Sequence, residues 1–302
     1  IVNTSGWDTD CNSGNVGCLL GIKNGLATID RGPDWRGPVA DKLYLPTADG
    51  GRSITDAVTE TYHLVNMARA LQGQAPLQPK SGARFHFELP GSVQGFVSED
   101  SIPSRGVIHL ENVEGHSASG TRSLAMHYSG VALGRVGRVE TPTFIPSRDV
   151  ARYFERRGYR LLASPTLYAG QTIRARIVAS AQNAEGVQVD LYIKHYNATD
   201  ELTTVHNDSI LIESGKAIEM TWRVPDTHCY PIAFVGVQIQ GTGGQAGTIY
   251  LDYLTWDGAP TIVLNRPVER ERNRLTPITG PSLWKMAWVD GFDSRERLAD
   301  LD

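Results

Sequence analysis

From about Arg84 almost to residue 257, apolar and polar residues alternate along the chain. Phe85-His86-Phe87-Glu88-Leu89, Val107-Ile108-His109-Leu110, Ser123 to Tyr128 and Ile173-Arg174-Ala175-Arg176-Ile177 all follow this period of two, which marks strands with one face buried. The longest run, Val187 to Tyr196, puts Val187, Val189, Leu191 and Ile193 on one face. Its other face carries Gln188, Asp190, Tyr192, Lys194 and Tyr196. Ile210-Leu211-Ile212, Ala217 to Val224, Ile232 to Ile239 and Thr248 to Trp256 extend the series, separated by Gly, Asn, Asp and Pro turns. Near ten strands with no helices between them predict an antiparallel two-sheet sandwich.

Upstream the period is helical. Val16, Leu19 and Leu20 recur at helix spacing, and Gly14, Gly17, Gly21 and Gly25 fall three to four apart. Each glycine costs a helix on the order of 1 kcal/mol against alanine, so this face predicts close approach by another backbone. A second helix is expected from Ser53, which with Asp56 reads as a capping box. Ile54, Val58, Thr61, Leu64, Val65, Ala68 and Leu71 trace its apolar stripe. His63 lies off that stripe, with no second histidine one turn away to make a zinc helix. Asp30 to Pro38 reads as a loop whose Trp35 plugs the helical part, and Lys42 to Gly51 as a second loop. Pro76, Pro79 and Gly82 mark a linker.

Of the residues, 40% are hydrophobic and 21% charged, and the net charge is −4. That balance gives no reason to expect nucleic acid or an anionic membrane as partner, and no apolar run is long enough to span a bilayer. Cys11, Cys18 and Cys229 are few and odd in number and lack zinc spacing, which suits a reducing, cytoplasmic setting. Asn197-Ala-Thr199 and Asn207-Asp-Ser209 match the glycosylation triplet, which matters only in a secretory cell.

The most concentrated chemistry is at the front, in Gly6-Trp7-Asp8-Thr9-Asp10-Cys11-Asn12. Two carboxylates one residue apart, in a turn before a helix, can converge on a hard divalent cation. Asp-Thr-Asp-x-Asn is also an ordinary helix-capping sequence. Taken with Val16-Gly17 and Leu19-Leu20-Gly21, the stretch resembles the second metal-binding motif of the ADP-ribosylglycohydrolases, written G-G-D-T-D-T-N before a glycine-rich helix. The resemblance implies an all-helical bundle centred on two magnesium ions (or manganese), which hydrolyses the glycosidic bond between ADP-ribose and an acceptor. It assigns Asp8 and Asp10 as metal ligands. Cys11 departs from the pattern, since the family has threonine there as a further ligand and a neutral thiol suits a hard ion poorly. Either water or the Cys11 carbonyl replaces that ligand, or one metal binds weakly. The remaining ligands and the catalytic acid are expected upstream, in an N-terminal half of the same protein. The D-x-D-x-x-x-D-D motif of nucleoside hydrolases does not match, because no acid pair follows at that spacing.

Phe85 to Leu89 and Thr248 to Gly258 resemble the first and last strands of jelly-roll carbohydrate-binding modules, which often pair beside a structural calcium. By position that resemblance implies Glu88 and Asp252 as calcium ligands; two solvent-facing acids at strand ends is the alternative. Tyr192 and Tyr196, on the polar face of the longest strand, could stack on a sugar while Gln188, Asp190 and Lys194 bond its hydroxyls; an exposed face with tyrosines of high strand propensity is the alternative. Trp222 and Trp256 are expected in the core.

The chain thus reads as a multidomain α plus β protein. Residues 1–75 form the helical end of an ADP-ribosylglycohydrolase-like domain, 76–83 a linker, 84–258 a jelly-roll β-sandwich, and 259–302 a linker and tail that could open a further domain. The expected function is a metal-dependent glycosidic-bond hydrolase, of which this chain holds half the metal site, with an accessory glycan-binding module. The alternative is a non-catalytic carbohydrate-binding or assembly protein acting through the sandwich.

Overall fold

The computed structural model describes Val2, Gly6 and residues 8–156 and 161–261. The tail expected at 262–302 and Trp7 of the front motif lie outside the described residues.

Eleven strands build two antiparallel sheets. One takes β3 (Val97–Ser98), β6 (Gly137–Pro142), β12 (Ile232–Gln240), β8 (Val187–Tyr196) and β10 (Ile210–Ile212), with β9 (Leu202–His206) also pairing β8. The other runs β11 (Ala217–Arg223), β7 (Thr172–Ala179), β13 (Gly243–Asp257), β5 (Arg122–Ala132) and β4 (Ile108–Glu114). The predicted alternation decides which face is buried. Val187, Val189, Leu191 and Ile193 of β8 meet Ile173, Ile177, Leu124, Met126, Ile249 and Leu251 of the opposite sheet in one core. Each such aliphatic chain contributes about 1.5–3 kcal/mol by leaving water. Trp256 joins that core and donates its indole N–H to the Thr166 carbonyl at 2.6 Å, and Trp222 packs at its margin.

The expected first strand shrinks to a single bridge. Phe85 exchanges two backbone hydrogen bonds of 3.0 Å with Leu254 of β13, so the first and last segments do pair. Phe87 then adopts φ 60°, and the Gln94 side-chain carbonyl, not a strand, accepts from the His86 and Phe87 amides.

In β13 the register shifts between Leu251 and Tyr253, leaving Asp252 as a bulge. The buried apolar side chains fall at 249, 251, 254 and 256 because the bulge changes the phase of the alternation.

The N-terminal part is not wholly helical. α1 spans Thr9–Asn24 and α2 spans Ala57–Leu71, but β1 (Lys42–Tyr44) and β2 (Ile54–Asp56) form a hairpin between them. Ile54 therefore lies in a strand, where it is buried with Phe144, Ile145, Tyr196 and Ala233. The helix starts three residues later than expected, because Asp56 itself is the cap: one carboxylate oxygen accepts from the Val58 and Thr59 amides at 2.9 Å. Of α2 only Val58 is buried, while Leu64, Val65 and Leu71 of the predicted stripe are exposed. No residue of α1 is buried, and a Cβ at Gly14, Gly17 or Gly21 would meet nothing within 4 Å. The glycine face expected to receive another backbone has no partner among the described residues, and Trp35, expected as a plug, is exposed. A third helix, α3 (Arg148–Arg156), follows β6. The all-helical bundle is not seen in the described residues, and no described helix is long and apolar enough to cross a membrane.

Candidate functional site

The sheet face turned away from the core is built from the even-numbered positions of β8 and their cross-strand neighbours. Asp190 pairs Gln238, and Tyr192 pairs Gly236. Arg138 and Glu140 of β6 extend the same rows, and His206 of β9 lies opposite Tyr192.

These side chains form one connected network. The Asp190 carboxylate accepts from Gln238 Nε2 at 2.9 Å and also from Gln240 Nε2. His206 Nδ1 lies 2.7 Å from its other oxygen; a carboxylate only accepts, so the proton of that bond sits on Nδ1 and Nε2 is left to accept. Arg138 donates to Gln238 Oε1 at 2.5 Å, which fixes the orientation of that amide from both sides, and to Glu99 at 3.3 Å. Lys194 Nζ lies 2.5 Å from Glu99 and 2.6 Å from Glu140.

Burial pushes the Glu140 carboxyl up, against the pull of Lys194 and Tyr192. Burial also acts upward on Glu99, but the bonds from Lys194 and Ser101 and the charge of Arg138 outweigh it and hold that carboxyl below the usual range. Desolvation lowers Lys42, a further cation that reaches toward Glu140. Arg138, Lys194 and Lys42 thus face Glu99 and Glu140, while Asp190 is bonded by two amides and an imidazole.

The two tyrosines expected to stack on a sugar are not available for it. Tyr192 is 0% exposed and Tyr196 2%. The Tyr192 ring lies over Gly236 beneath Arg138, Lys194 and His206, and its hydroxyl donates to Glu140 at 2.9 Å. The Tyr196 hydroxyl donates to the Ile145 carbonyl at 3.0 Å within the second core cluster. Both are structural because side chains from other strands and loops cover them, which a single-strand pattern does not reveal. Of their expected companions Asp190 and Lys194 belong to the network, whereas Gln188 is exposed beyond it. Sequence reasoning missed Arg138, Gln238, Gln240 and His206. The polar even positions of 232–240 were the available signal.

At the front, one ligand atom each from Asp8, Asp10 and Cys11 lie within 4.8 Å of one another, and all three residues are exposed. Asp8 precedes α1 with φ 54° and makes no side-chain capping bond, so helix capping does not account for it. The Asp8 carboxylate accepts from the Cys11 thiol, and that bond with the charges of Asp8 and Asp10 raises the thiol pKa. A protonated thiol is a poor ligand for magnesium or manganese, so the residues fit a hard ion through Asp8 and Asp10 alone.

Glu88 and Asp252 do meet, but around a third side chain. Lys80 Nζ lies 2.7 Å from Asp252 Oδ1 and 3.2 Å from Glu88 Oε1. Separately, where β2 and α2 meet the sandwich, a cleft of about 250 Å³ is bordered by Arg52, Asp56, Glu60 and Arg84; Arg52 already pairs with Glu60.

No protein-family model and no curated protein matches the chain. Among solved structures it is similar to one described as a carbohydrate-binding module of the β-sandwich superfamily, at 16% identity and TM-score 0.43, covering 61% of this chain and 64% of that one. The chain thus spans under two thirds of that structure's length. It is also similar to the CBM22-1 xylan-binding domain of Paenibacillus barcinonensis Xyn10C, at 12% identity and TM-score 0.39, covering 59% of this chain and 94% of the other. A further xylan-binding domain from CBM 22 matches at 13% identity and TM-score 0.41, covering 61% and 100%. These neighbours are carbohydrate-binding modules, whereas the architecture of this chain is given by its own strand pairing.

Proposed function

We propose that the chain carries a carbohydrate-binding module that holds a neutral glycan on the outer face of the β8–β12–β6 sheet. The observation that supports this reading is the fixed network from His206 through Asp190, Gln238 and Arg138 to Glu99 and Lys194. Arg138, His206 and Gln240, held in place by the buried carboxylates and amide behind them, are preorganised to exchange hydrogen bonds with hydroxyl groups, which lowers the ordering cost of binding. The balance of three carboxylates against three cations gives no preference for an ion. Arg138 and His206 keep 20% and 30% of their side chains exposed, so a ligand can reach their outer edges. With Tyr192 and Tyr196 buried, recognition rests on hydrogen bonds rather than ring stacking. Affinity electrophoresis of the full chain through neutral and through acidic polysaccharides tests this. Retardation by a neutral glycan that persists at high salt is expected; retardation by acidic polymers alone, lost with salt, would contradict it.

A second reading rests on Asp8 and Asp10, whose oxygens converge without serving as helix caps. In it, residues 8–24 give two ligands to a magnesium or manganese site of an ADP-ribosylglycohydrolase-like hydrolase, the rest of which comes from an N-terminal half, and the sandwich brings glycan near. The bound ion would stabilise negative charge as the glycosidic bond breaks. Asp8 and Asp10 would hold it, and Cys11 would serve through water or its carbonyl. Manganese titration followed by electron paramagnetic resonance should show weak binding that Asp10→Asn removes; identical binding by that variant would end this reading.

A further inference from the structure

The cage around Lys80 has the composition of a hard-cation site. Besides the Asp252 and Glu88 carboxylates, Nζ donates to the backbone carbonyls of Asp252 and Arg122, both at 2.6 Å. Four oxygens, two anionic and two carbonyl, are the kind of donor set that calcium takes. The Asp252 bulge in β13 turns its buried side chain toward this cage, where its own carbonyl also serves. Asp252 Oδ1 lies 2.7 Å from Nζ, so the ammonium sits directly against the carboxylate.

The far side of each carboxylate is tied from outside, which aims the near oxygen inward. Asp252 Oδ2 accepts from Arg176 and from the Ala118 amide, both at 2.9 Å. Glu88 Oε2 accepts from the Thr121 amide at 2.9 Å and its hydroxyl at 2.8 Å.

The chain accepts backbone strain to deliver the ammonium. Lys80 and Ser81 adopt φ 47° and 59°, a left-handed conformation that L-residues disfavour. Gly120 closes the cage: a Cβ there would run into the Glu88 carboxylate and come within 2.7 Å of Lys80 Cε. The Lys80 side chain is 0% exposed.

We infer that Lys80 is a tethered replacement for a structural divalent cation, which makes this sandwich independent of metal and leaves a latent calcium site behind the lysine. The residues expected to hold calcium, Glu88 and Asp252, do not fit a resident ion because the ammonium fills the position. This inference does not depend on what the outer sheet face binds.

Thermal unfolding of the full chain in EDTA and in millimolar calcium tests it. The wild-type midpoint should be the same in both. Lys80→Met should melt several degrees lower in EDTA and recover part of that loss in calcium. If Lys80→Met does not fold in EDTA, refolding in calcium should return the native circular dichroism spectrum. Adding Asp252→Asn to Lys80→Met should remove the calcium response, which separates this site from Asp8 and Asp10. A wild-type midpoint that drops in EDTA, or a Lys80→Met variant that calcium neither stabilises nor refolds, would overturn the inference.

Discussion

The Tyr192 ring lies across the backbone of Gly236, its partner on the neighbouring strand, so closely that a methyl group on Gly236 would sit 2.6 Å from the ring. The flat floor of the outer sheet face depends on that missing side chain. Gly236→Ala should cost about 1–3 kcal/mol through overpacking. Gly17→Ala in α1, where a Cβ would meet nothing within 4 Å, should instead gain on the order of 1 kcal/mol of helix stability. Denaturant midpoints and far-ultraviolet circular dichroism report the two effects, and equal responses at both sites would contradict these placements.

His86 predicts how stability depends on pH. Burial, then the neighbouring Lys80 charge, push its imidazole down to about 4, with Glu88 offsetting part of the shift. The unfolded side chain binds its proton near pH 6.5, so between about pH 6.5 and 4 the unfolded state binds more protons than the folded one. Stability therefore falls as pH drops through that window, by up to about 3 kcal/mol from this group. His86→Asn should flatten that part of the curve, as read from denaturation at successive pH values, whatever the variant loses from the edge-on contact of His86 with Tyr62. An unchanged slope would show that His86 titrates normally.

Cys11 and Cys18 share α1 and are both exposed, yet they should differ in reactivity. The hydrogen bond to Asp8 and the charges of Asp8 and Asp10 hold the Cys11 thiol protonated to higher pH, and only the thiolate attacks an alkylating agent. Mass-spectrometric mapping of iodoacetamide labelling near pH 8 should find Cys11 modified more slowly than Cys18. Asp8→Asn should narrow the gap. Faster labelling of Cys11 would contradict the arrangement at the front of the chain.

The sandwich was legible because a period of two is local: Val187, Val189, Leu191 and Ile193 announce their buried face without knowledge of their neighbours. What covers the opposite face was not legible. Tyr192 is hidden by Arg138 and His206, 54 and 14 positions away along the chain, and Tyr196 by residues near 54 and 145. The spacing of Ile249, Leu251, Leu254 and Trp256 breaks the period of two at Asp252, a signal that a reading of Thr248 to Trp256 as one regular strand passes over, and it marks the position where a carboxylate turns inward. Lys80 escaped notice since a lysine between Pro79 and Gly82 reads as linker, and only the fold brings Asp252 to it. The acids at Asp8 and Asp10 were recognisable as a pair, whereas the apolar and glycine faces of α1 call for a partner that the described residues do not supply.

The most direct measurement is calorimetric titration of a retained neutral oligosaccharide into the full chain and into the His206→Ala/Gln240→Ala variant. Both side chains lie at the accessible edge of the network on Asp190, and each lost hydrogen bond should cost about 1 kcal/mol. The account predicts binding by the wild type and a loss of at least tenfold in affinity in the variant, measured at a temperature where circular dichroism shows both proteins folded. Equal affinity in the two proteins, or no neutral glycan bound by either, would contradict it.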